Sequence, residues 1–181
     1  MNEMDFATKA DVQSSLRRVE ELLGCGILAQ EHMGNVLFRA AFVEILINMR
    51  DLMFKCSRYS ERIAFDDDVK KASYPNPNGK GEWQLKDVSD LLKYVRDAIC
   101  HPDSQNHYVD GGNIKFSFNV AFGSGRIMQT PDDEFTSDYD DDICFFFGGQ
   151  KIYLKRHIVR AFEEAKAKLT PLADMMPSHL R

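Results

Sequence analysis

The segment over residues 31–58 constrains the fold most, because its apolar side chains cover almost the whole circumference of a helix. We predict one long helix there, and a helix of this kind is central in its domain or buried in a dimer. A single polar stripe runs along it at spacings of four, three and four residues, formed by Glu44, Asn48, Asp51 and Lys55. This stripe is either a solvated face or a polar row that faces a functional helix.

Three further segments have the apolar spacing of amphipathic helices, at residues 8–23, 85–100 and 155–169. The last of them has a basic face, which either lies near RNA or is simply solvated. Its cationic and imidazole side chains are Lys155, Arg156, His157, Arg160, Lys166 and Lys168. From Pro171 onward we expect a frayed or loosely packed tail.

Between the third and fourth helices the apolar period changes from that of a helix to that of a strand, over about residues 113–154. Apolar and polar residues alternate from 114 to 120, and a short strand is predicted at 126–129. Residues 143–147 and 151–154 flank a Gly-Gly pair, which predicts a β-hairpin. We therefore predict a single α+β domain over residues 1–181, mainly α, in which one small antiparallel sheet is inserted into an antiparallel helical bundle before its last helix.

Composition indicates a soluble chain that lies in the cytoplasm and has no membrane partner. Its apolar runs are much shorter than a membrane span, and the N-terminus is polar and acidic rather than a secretory signal. The four cysteines at 25, 56, 100 and 144 form no C-x-x-C pair and are expected to be reduced thiols. The net charge of −5 argues against a broad nucleic-acid footprint, although a small phosphate site is compatible with it.

The segment over residues 94–102 ends the third helix and places Arg96 five residues before His101. On a continuous helix their side chains would diverge by about 140°. Pro102 disfavours the α conformation for the residue before it, so we predict that the helix ends at or just before His101. The histidine can then turn back over the helix end, while Arg96 projects from the last turn.

Arg96, Asp97 and His101, followed by Pro102, resemble the signature of HEPN (higher eukaryotes and prokaryotes nucleotide-binding) domains. The resemblance covers roughly residues 10–105 and 153–170. It implies an all-helical core and, for many members, a ribonuclease of the toxin or phage-defence kind. Some HEPN toxins carry a tyrosine two residues after the histidine that an antitoxin enzyme modifies; here that position is Asp103, which departs from that pattern.

The chemistry of this pair suits RNA cleavage without a metal or another cofactor. Histidine titrates near neutrality and transfers protons, whereas arginine binds the non-bridging phosphate oxygens. One histidine cannot easily act as both base and acid, so a homodimer that unites two motifs is expected, as the resemblance also implies. We assign His101 as acid/base, Arg96 as phosphate clamp and Asp97 as an orienting group. Glu44 and Asn48 are weaker supporting candidates.

Several alternatives stay open. The chain could be a non-catalytic HEPN-like module that binds a nucleotide, RNA or a protein partner such as an antitoxin. A buried pair of Arg96 with Asp97 or Glu44, with His101 only capping the helix, would favour that module. The acidic residues at 66–68 and 132–142 could bind a divalent cation or be solvated, but they lack a calcium-loop spacing. The acidic loop at 132–142 could also cover a basic cleft or engage a basic partner. The histidines show no zinc spacing.

Overall fold

A computed structural model describes residues 3–66, 85–109, 113–131 and 134–174. Within them it has the α+β composition predicted above, with four α-helices, seven short strands and a helical majority. The helices are α1 (Phe6–Gly24), α2 (Val36–Tyr59), α3 (Val88–Cys100) and α4 (Arg160–Asp174). The chain divides into two compact units, of which the first contains residues 1–64 and 159–181 and the second residues 65–158.

The first unit consists of α1, α2 and α4, and α1 runs antiparallel to both of its neighbours. Salt bridges join Arg18 to Glu44 and Asp11 to Lys55, so the numbering of α1 and α2 runs in opposite directions. The same holds for α1 and α4, where Glu20 pairs with Lys166 and Gln13 donates to Asp174. Fully buried side chains of this unit include Val12, Val19, Phe38, Phe42, Ile45, Leu46, Leu52 and Leu169. Each contributes about 1.5–3 kcal/mol of hydrophobic stabilisation relative to an exposed side chain.

Helix α2 begins five residues later than predicted, because its N-cap is Asn35. The Asn35 side chain accepts a hydrogen bond of 2.8 Å from the N–H of Leu37, and this bond satisfies one of the free donors at the helix start. Residues Gln30–His32 form a separate 3₁₀ turn before it.

The polar stripe of α2 is only partly solvated, because two of its four members are buried. Asn48 and Lys55 are each only 7% exposed. The stripe lies against α1: the Ser15 hydroxyl donates to Asp51, and Asp51 also binds the Lys55 ammonium at 2.6 Å. Polar contacts with α1 therefore satisfy part of this row, while the side chains of Glu44 and Asp51 also reach solvent, at 43% and 41% exposure.

In its described residues, the second unit contains α3 and three small antiparallel sheets, where one sheet was predicted. Strands β1 (Tyr108–Val109) and β2 (Ile114–Lys115) form the first sheet. The second has the order β3 (Ser117–Phe122), β6 (Ile143–Phe147), β7 (Gln150–Tyr153), and β4 (Gly125–Gln129) pairs with β5 (Glu134–Ser137) in the third.

The single-sheet prediction is wrong because the alternating segment does not stay in one register. Phe118 has a positive φ of 52°, and the pairing of β3 with β6 shifts between Ser117 and Asn119. Such a bulge bends the strand and breaks its alternation. Gly123, with φ of 84°, then turns the chain into β4.

The predicted hairpin is confirmed. Strands β6 and β7 pair antiparallel with Phe147 opposite Gln150, and all five residues of β6 are buried. Gly148 in the turn has φ of 53°, and a Cβ atom there would lie 2.5 Å from the carbonyl oxygen of Asn106. The hairpin turn thus approaches the loop after α3 so closely that only glycine fits.

The closing helix begins with a π-helical turn at Leu154–Val159 and continues as α4 to Asp174. It therefore passes through Pro171, so the expected frayed tail does not begin there, and the rest of that tail, residues 175–181, lies outside the described residues. The missing N–H of proline removes only one hydrogen bond in the final turn. Leu169 and Ala173 remain buried on either side, so packing maintains the helix. In the part of the chain that the structure describes, no helix has the length and apolar character needed to cross a membrane.

The Gly148→Ala substitution should lower the free energy of unfolding by at least about 2 kcal/mol, since it adds left-handed strain and a backbone clash. Urea unfolding would measure the change. Gly34→Ala is the matched control, because no atom lies within 4 Å of its added Cβ. An equal stability of the two variants would contradict the close approach.

Candidate functional site

The third helix ends where Pro102 predicted. Its N-cap is Asp87, whose side chain accepts from the N–H of Asp90 at 2.9 Å, and its last residue is Cys100. His101 follows in an extended conformation, with φ of −123° and ψ of 97°. The His101 N–H still donates to the carbonyls of Asp97 and Ala98, so the main chain of His101 closes the helix while its side chain is exposed.

The Arg96 guanidinium binds the neighbouring Asp97 carboxylate at 3.0 Å. Neither group is buried, since their side chains are 37% and 35% exposed. An ion pair of this exposure contributes at most about 1 kcal/mol, so a phosphate group could replace Asp97 at small cost. Asp97 therefore restricts the arginine without removing it from solvent.

His107 is a buried histidine for which the sequence indicated no role, and it holds the main chain at His101. Its Nε2 lies 3.0 Å from the His101 carbonyl oxygen, which can only accept, so Nε2 carries the proton. Its Nδ1 lies 2.7 Å from the Ser117 hydroxyl. The Ser104 N–H binds the same carbonyl at 2.9 Å. His107 thus connects His101, the residue after α3, to β3. The sequence alone could not indicate this bridge, because His107 and Ser117 meet only in the folded chain.

Tyr94 and Asn106 fix the same loop to the body of α3. The Tyr94 hydroxyl donates to the Asn106 carbonyl at 3.2 Å, and the Asn106 amide donates to the Tyr94 carbonyl at 3.4 Å. Burial raises the pKa of Tyr94, which keeps the hydroxyl a neutral donor. Together with the contacts of His107, these hydrogen bonds hold the main chain of the loop that follows His101.

The two supporting candidates lie in the first unit. Glu44 binds Arg18 at 3.4 Å, and the Asn48 amide donates to the Glu44 carboxylate at 2.9 Å. Their expected role toward Arg96 stays a prediction.

The acidic segment is partly internal, so solvation, one of the alternatives considered for it, describes only some of its carboxylates. Asp142 is fully buried, and its two oxygens accept hydrogen bonds from three backbone N–H groups, those of Ile143, Lys155 and Arg156. The Arg156 guanidinium also binds it at 3.1 Å. Asp142 therefore acts as the cap at the start of the closing helix, where carboxylates are stabilised by free N–H groups.

Two other aspartates of the segment are also paired within the second unit. Asp138 binds the Lys151 ammonium at 2.5 Å with both side chains almost buried, and it accepts from the Tyr153 hydroxyl at 2.8 Å. Asp141 accepts from Arg156 at 2.8 Å, and this hydrogen bond holds the pKa of Asp141 below its usual value. Burial raises the pKa of Tyr153, so its hydroxyl remains a donor. Asp138 and Asp142 are thus occupied inside the second unit, whereas the Asp141 side chain is still 61% exposed.

The basic face of the closing helix is paired with acidic side chains, which weakens the first of the two alternatives given for it, a position near RNA. In the second unit Lys155 and Arg156 pair with Asp141 and Asp142. The first unit contains three further pairs, Arg160–Glu164, Lys166–Glu20 and Lys168–Glu61. His157 is buried, and its Nδ1 accepts from the Tyr153 N–H at 3.0 Å.

Cysteine and metal chemistry receive no support from the described residues. Cys56 and Cys144 are buried, and burial raises the pKa of each thiol to about 12, far from a reactive thiolate. Cys25 and Cys100 are exposed. Within residues 3–66, 85–109, 113–131 and 134–174, no three histidine, cysteine, aspartate or glutamate side chains are grouped to hold a metal ion. Asp67, Asp68, Asp132 and Asp133, part of the acidic segments considered above, lie outside the described residues.

No family model, curated protein or solved structure matches this chain.

Asp142→Asn should lower the free energy of unfolding by about 3 kcal/mol, because the new NH₂ group would face N–H donors and Arg156 would lose one of its two carboxylate partners. Asp141→Asn, at the exposed neighbour of the same arginine, should change stability far less. Chemical unfolding of both variants would show the difference. Comparable losses would contradict the capping role of Asp142.

His107→Gln should destabilise the fold by about 1–3 kcal/mol, since the shorter amide cannot bridge His101 and Ser117 at once. The control is His32→Gln, in the 3₁₀ turn before α2, where the side chain is only partly buried. Urea unfolding followed by circular dichroism measures both. Equal effects would contradict the anchoring of His101 by His107.

Proposed function

We propose that this chain is a HEPN-like, metal-independent endoribonuclease of the toxin or phage-defence kind that acts in the cytoplasm as a homodimer. Its reaction would be attack of the RNA 2′-OH on the adjacent phosphate, which releases a 2′,3′-cyclic phosphate and a 5′-hydroxyl. One observation carries this proposal: Arg96 and His101 flank the same helix end, and both side chains reach solvent. The antiparallel HEPN-like bundle is part of the proposal.

His101 suits proton transfer because its ring is accessible while its main chain is fixed. The helix end and His107 hold its backbone from two sides. A positioned imidazole contributes about 10²–10⁴-fold to a reaction that moves a proton in the transition state. The support by His107 reduces the freedom that the ring must lose before it can act.

Arg96 suits the phosphate because its guanidinium is half-exposed and already held by a single carboxylate. When a phosphate binds, the guanidinium can form two parallel hydrogen bonds to the non-bridging oxygens. Asp97 would then keep Arg96 oriented between turnovers, as expected from the motif. Glu44 and Asn48 remain supporting candidates.

A second copy is part of the mechanism because in-line cleavage needs proton transfer on opposite sides of the phosphorus. A base removes the proton of the 2′-OH, and an acid protonates the departing 5′-oxygen. A two-fold dimer provides two copies of His101 and Arg96 for one RNA strand. An antitoxin or another protein could control access to this site.

The second candidate is a non-catalytic HEPN-like module that binds a nucleotide, RNA or a protein partner. The neutralised basic face of α4 and the net charge of −5 favour it, since RNA binding usually needs an excess of cations. The Arg96–Asp97 pair favours it less, because the pair is exposed rather than buried.

Incubation of the wild type with a mixed RNA pool in EDTA should yield fragments with 5′-hydroxyl and 2′,3′-cyclic phosphate ends. His101→Ala should lower the cleavage rate at least about 100-fold, because the proton-transfer group is lost. Arg96→Ala should have a comparable effect through the lost phosphate contact. Cys100→Ala, at the exposed neighbour of His101, is the matched control and should cleave like the wild type.

If the folded wild type cleaves no RNA, the ribonuclease proposal is contradicted and the non-catalytic binding module is favoured. Equal cleavage by His101→Ala and the wild type would contradict the site assignment. Loss of cleavage in EDTA with recovery in Mg²⁺ would contradict the metal-independent mechanism.

A further inference from the structure

The small hairpin that follows α3 places an aromatic ring beside an ammonium group. Tyr108 of β1 lies opposite Lys115 of β2, and the Phe116 N–H donates to the His107 carbonyl at 2.8 Å. The hydrogen-bonded pair is therefore His107 with Phe116, and Tyr108 with Lys115 is the adjacent non-hydrogen-bonded pair. The Cβ atoms of such a pair are about 5 Å apart, so the two side chains are direct neighbours.

This pair lies on the outer face of the hairpin. Successive residues of a strand point to opposite faces, and His107, Val109 and Phe116 are buried on the inner one. On the other face Lys115 is exposed and Tyr108 is partly exposed. We name Tyr108 and Lys115 the hairpin pair.

The positive charge of the hairpin pair is not neutralised by a carboxylate of the described residues. Most cations of the second unit are neutralised in this way, namely Arg96, Arg126, Lys151, Lys155 and Arg156. In the described part of this unit, the ammonium groups without a carboxylate partner are those of Lys86, Lys93 and Lys115. Uncompensated positive charge in the second unit therefore accompanies α3 and the hairpin after it, where the candidate site lies.

The hairpin pair is connected to His101 through one side chain. His107, the residue before Tyr108, has its Nε2 atom 3.0 Å from the His101 carbonyl oxygen. Only one imidazole side chain and one residue separate the two, so the main chain of Tyr108 lies on the order of 10 Å from that of His101. Neighbouring nucleotides of one RNA strand can span such a distance.

We propose that the hairpin pair is a nucleotide subsite, in which the Tyr108 ring stacks on an unpaired base and the Lys115 ammonium binds a phosphate of the same strand. The subsite holds RNA beside the bond that His101 cleaves, so for its ligand the inference rests on the proposed function. Both residues belong to the β insertion, outside the segments that resemble HEPN domains.

The aromatic ring favours a nucleotide over an acidic protein as the ligand. Carboxylates would need only the cation, whereas a base that stacks on an aromatic side chain contributes about 1–3 kcal/mol, with little dependence on sequence. Stacking of this kind requires an unstacked base, so the subsite selects single-stranded RNA over a duplex. A contact with so few phosphates is also compatible with the net charge of −5, which argues only against a broad cationic footprint.

Binding of RNA to the full chain tests the subsite, in a His101→Ala background so that the probe stays intact. The probes are a fluorescent oligoadenylate and a ribose-phosphate strand of equal length that lacks the bases. Tyr108→Leu should weaken binding of oligoadenylate at least about 5-fold, because stacking is lost, and should not change binding of the base-free strand. Lys115→Gln should weaken binding of both strands and lower the slope of log Kd against log salt concentration by about 0.7.

Two matched controls lie elsewhere in the second unit. Phe122→Leu changes an aromatic residue that is 42% exposed at the other end of β3. Lys155→Gln changes a lysine whose side chain is 60% exposed but paired with Asp141. Both should bind the two probes like the His101→Ala background. Circular dichroism checks the fold of each variant, and Lys115→Gln alters only an exposed side chain.

Tyr108→Leu and Lys115→Gln variants that bind oligoadenylate as tightly as the controls would overturn the subsite. Displacement of oligoadenylate by polyglutamate as readily as by unlabelled RNA would assign the pair to an acidic protein and overturn it as well. The cleavage assay distinguishes this inference from the proposed function. If RNA binding depends on both residues but the wild type cleaves no RNA, the subsite is supported and the ribonuclease is contradicted. If the wild type cleaves RNA and neither variant changes binding, the reverse holds.

Discussion

The second unit depends on a carboxylate that has been removed completely from water. Asp142 can be buried only because three N–H groups and a guanidinium share its two oxygens. It thereby joins the start of β6 to the start of the closing helix. The other end of β6 turns at Gly148, against the carbonyl of Asn106 in the loop after α3. A continuous path of backbone contacts therefore leads from the acidic segment to the support of His101.

Features that depend on neighbouring residues were predictable from the sequence. The end of α3 follows from the restriction that Pro102 imposes on His101, and the hairpin follows from two apolar runs around Gly148 and Gly149. Features that depend on partners far apart in the sequence could not be predicted from it. Burial of Asp142 requires Arg156, and the role of His107 requires Ser117. The break into three sheets depends on the positive φ of Phe118, a conformation that its residue type does not indicate.

The same distinction applies to the candidate site. The sequence places Arg96 and His101 at one helix end, and their exposure agrees with a solvent-accessible role. The charges around the candidate site could not be predicted from the sequence. In the second unit, residues of the acidic segment pair with residues at the start of the basic helix and partly neutralise them. A net charge or a local run of aspartates therefore says little about the field that a phosphate would meet here.

The contacts of His107 join a helix end to a strand through a single imidazole ring. One ring nitrogen donates to the His101 carbonyl oxygen, and the other lies at hydrogen-bonding distance from the Ser117 hydroxyl. The loop after α3 cannot turn about the helix end without breaking both hydrogen bonds, so the ring works as a strut between two elements that share no backbone hydrogen bond at this point.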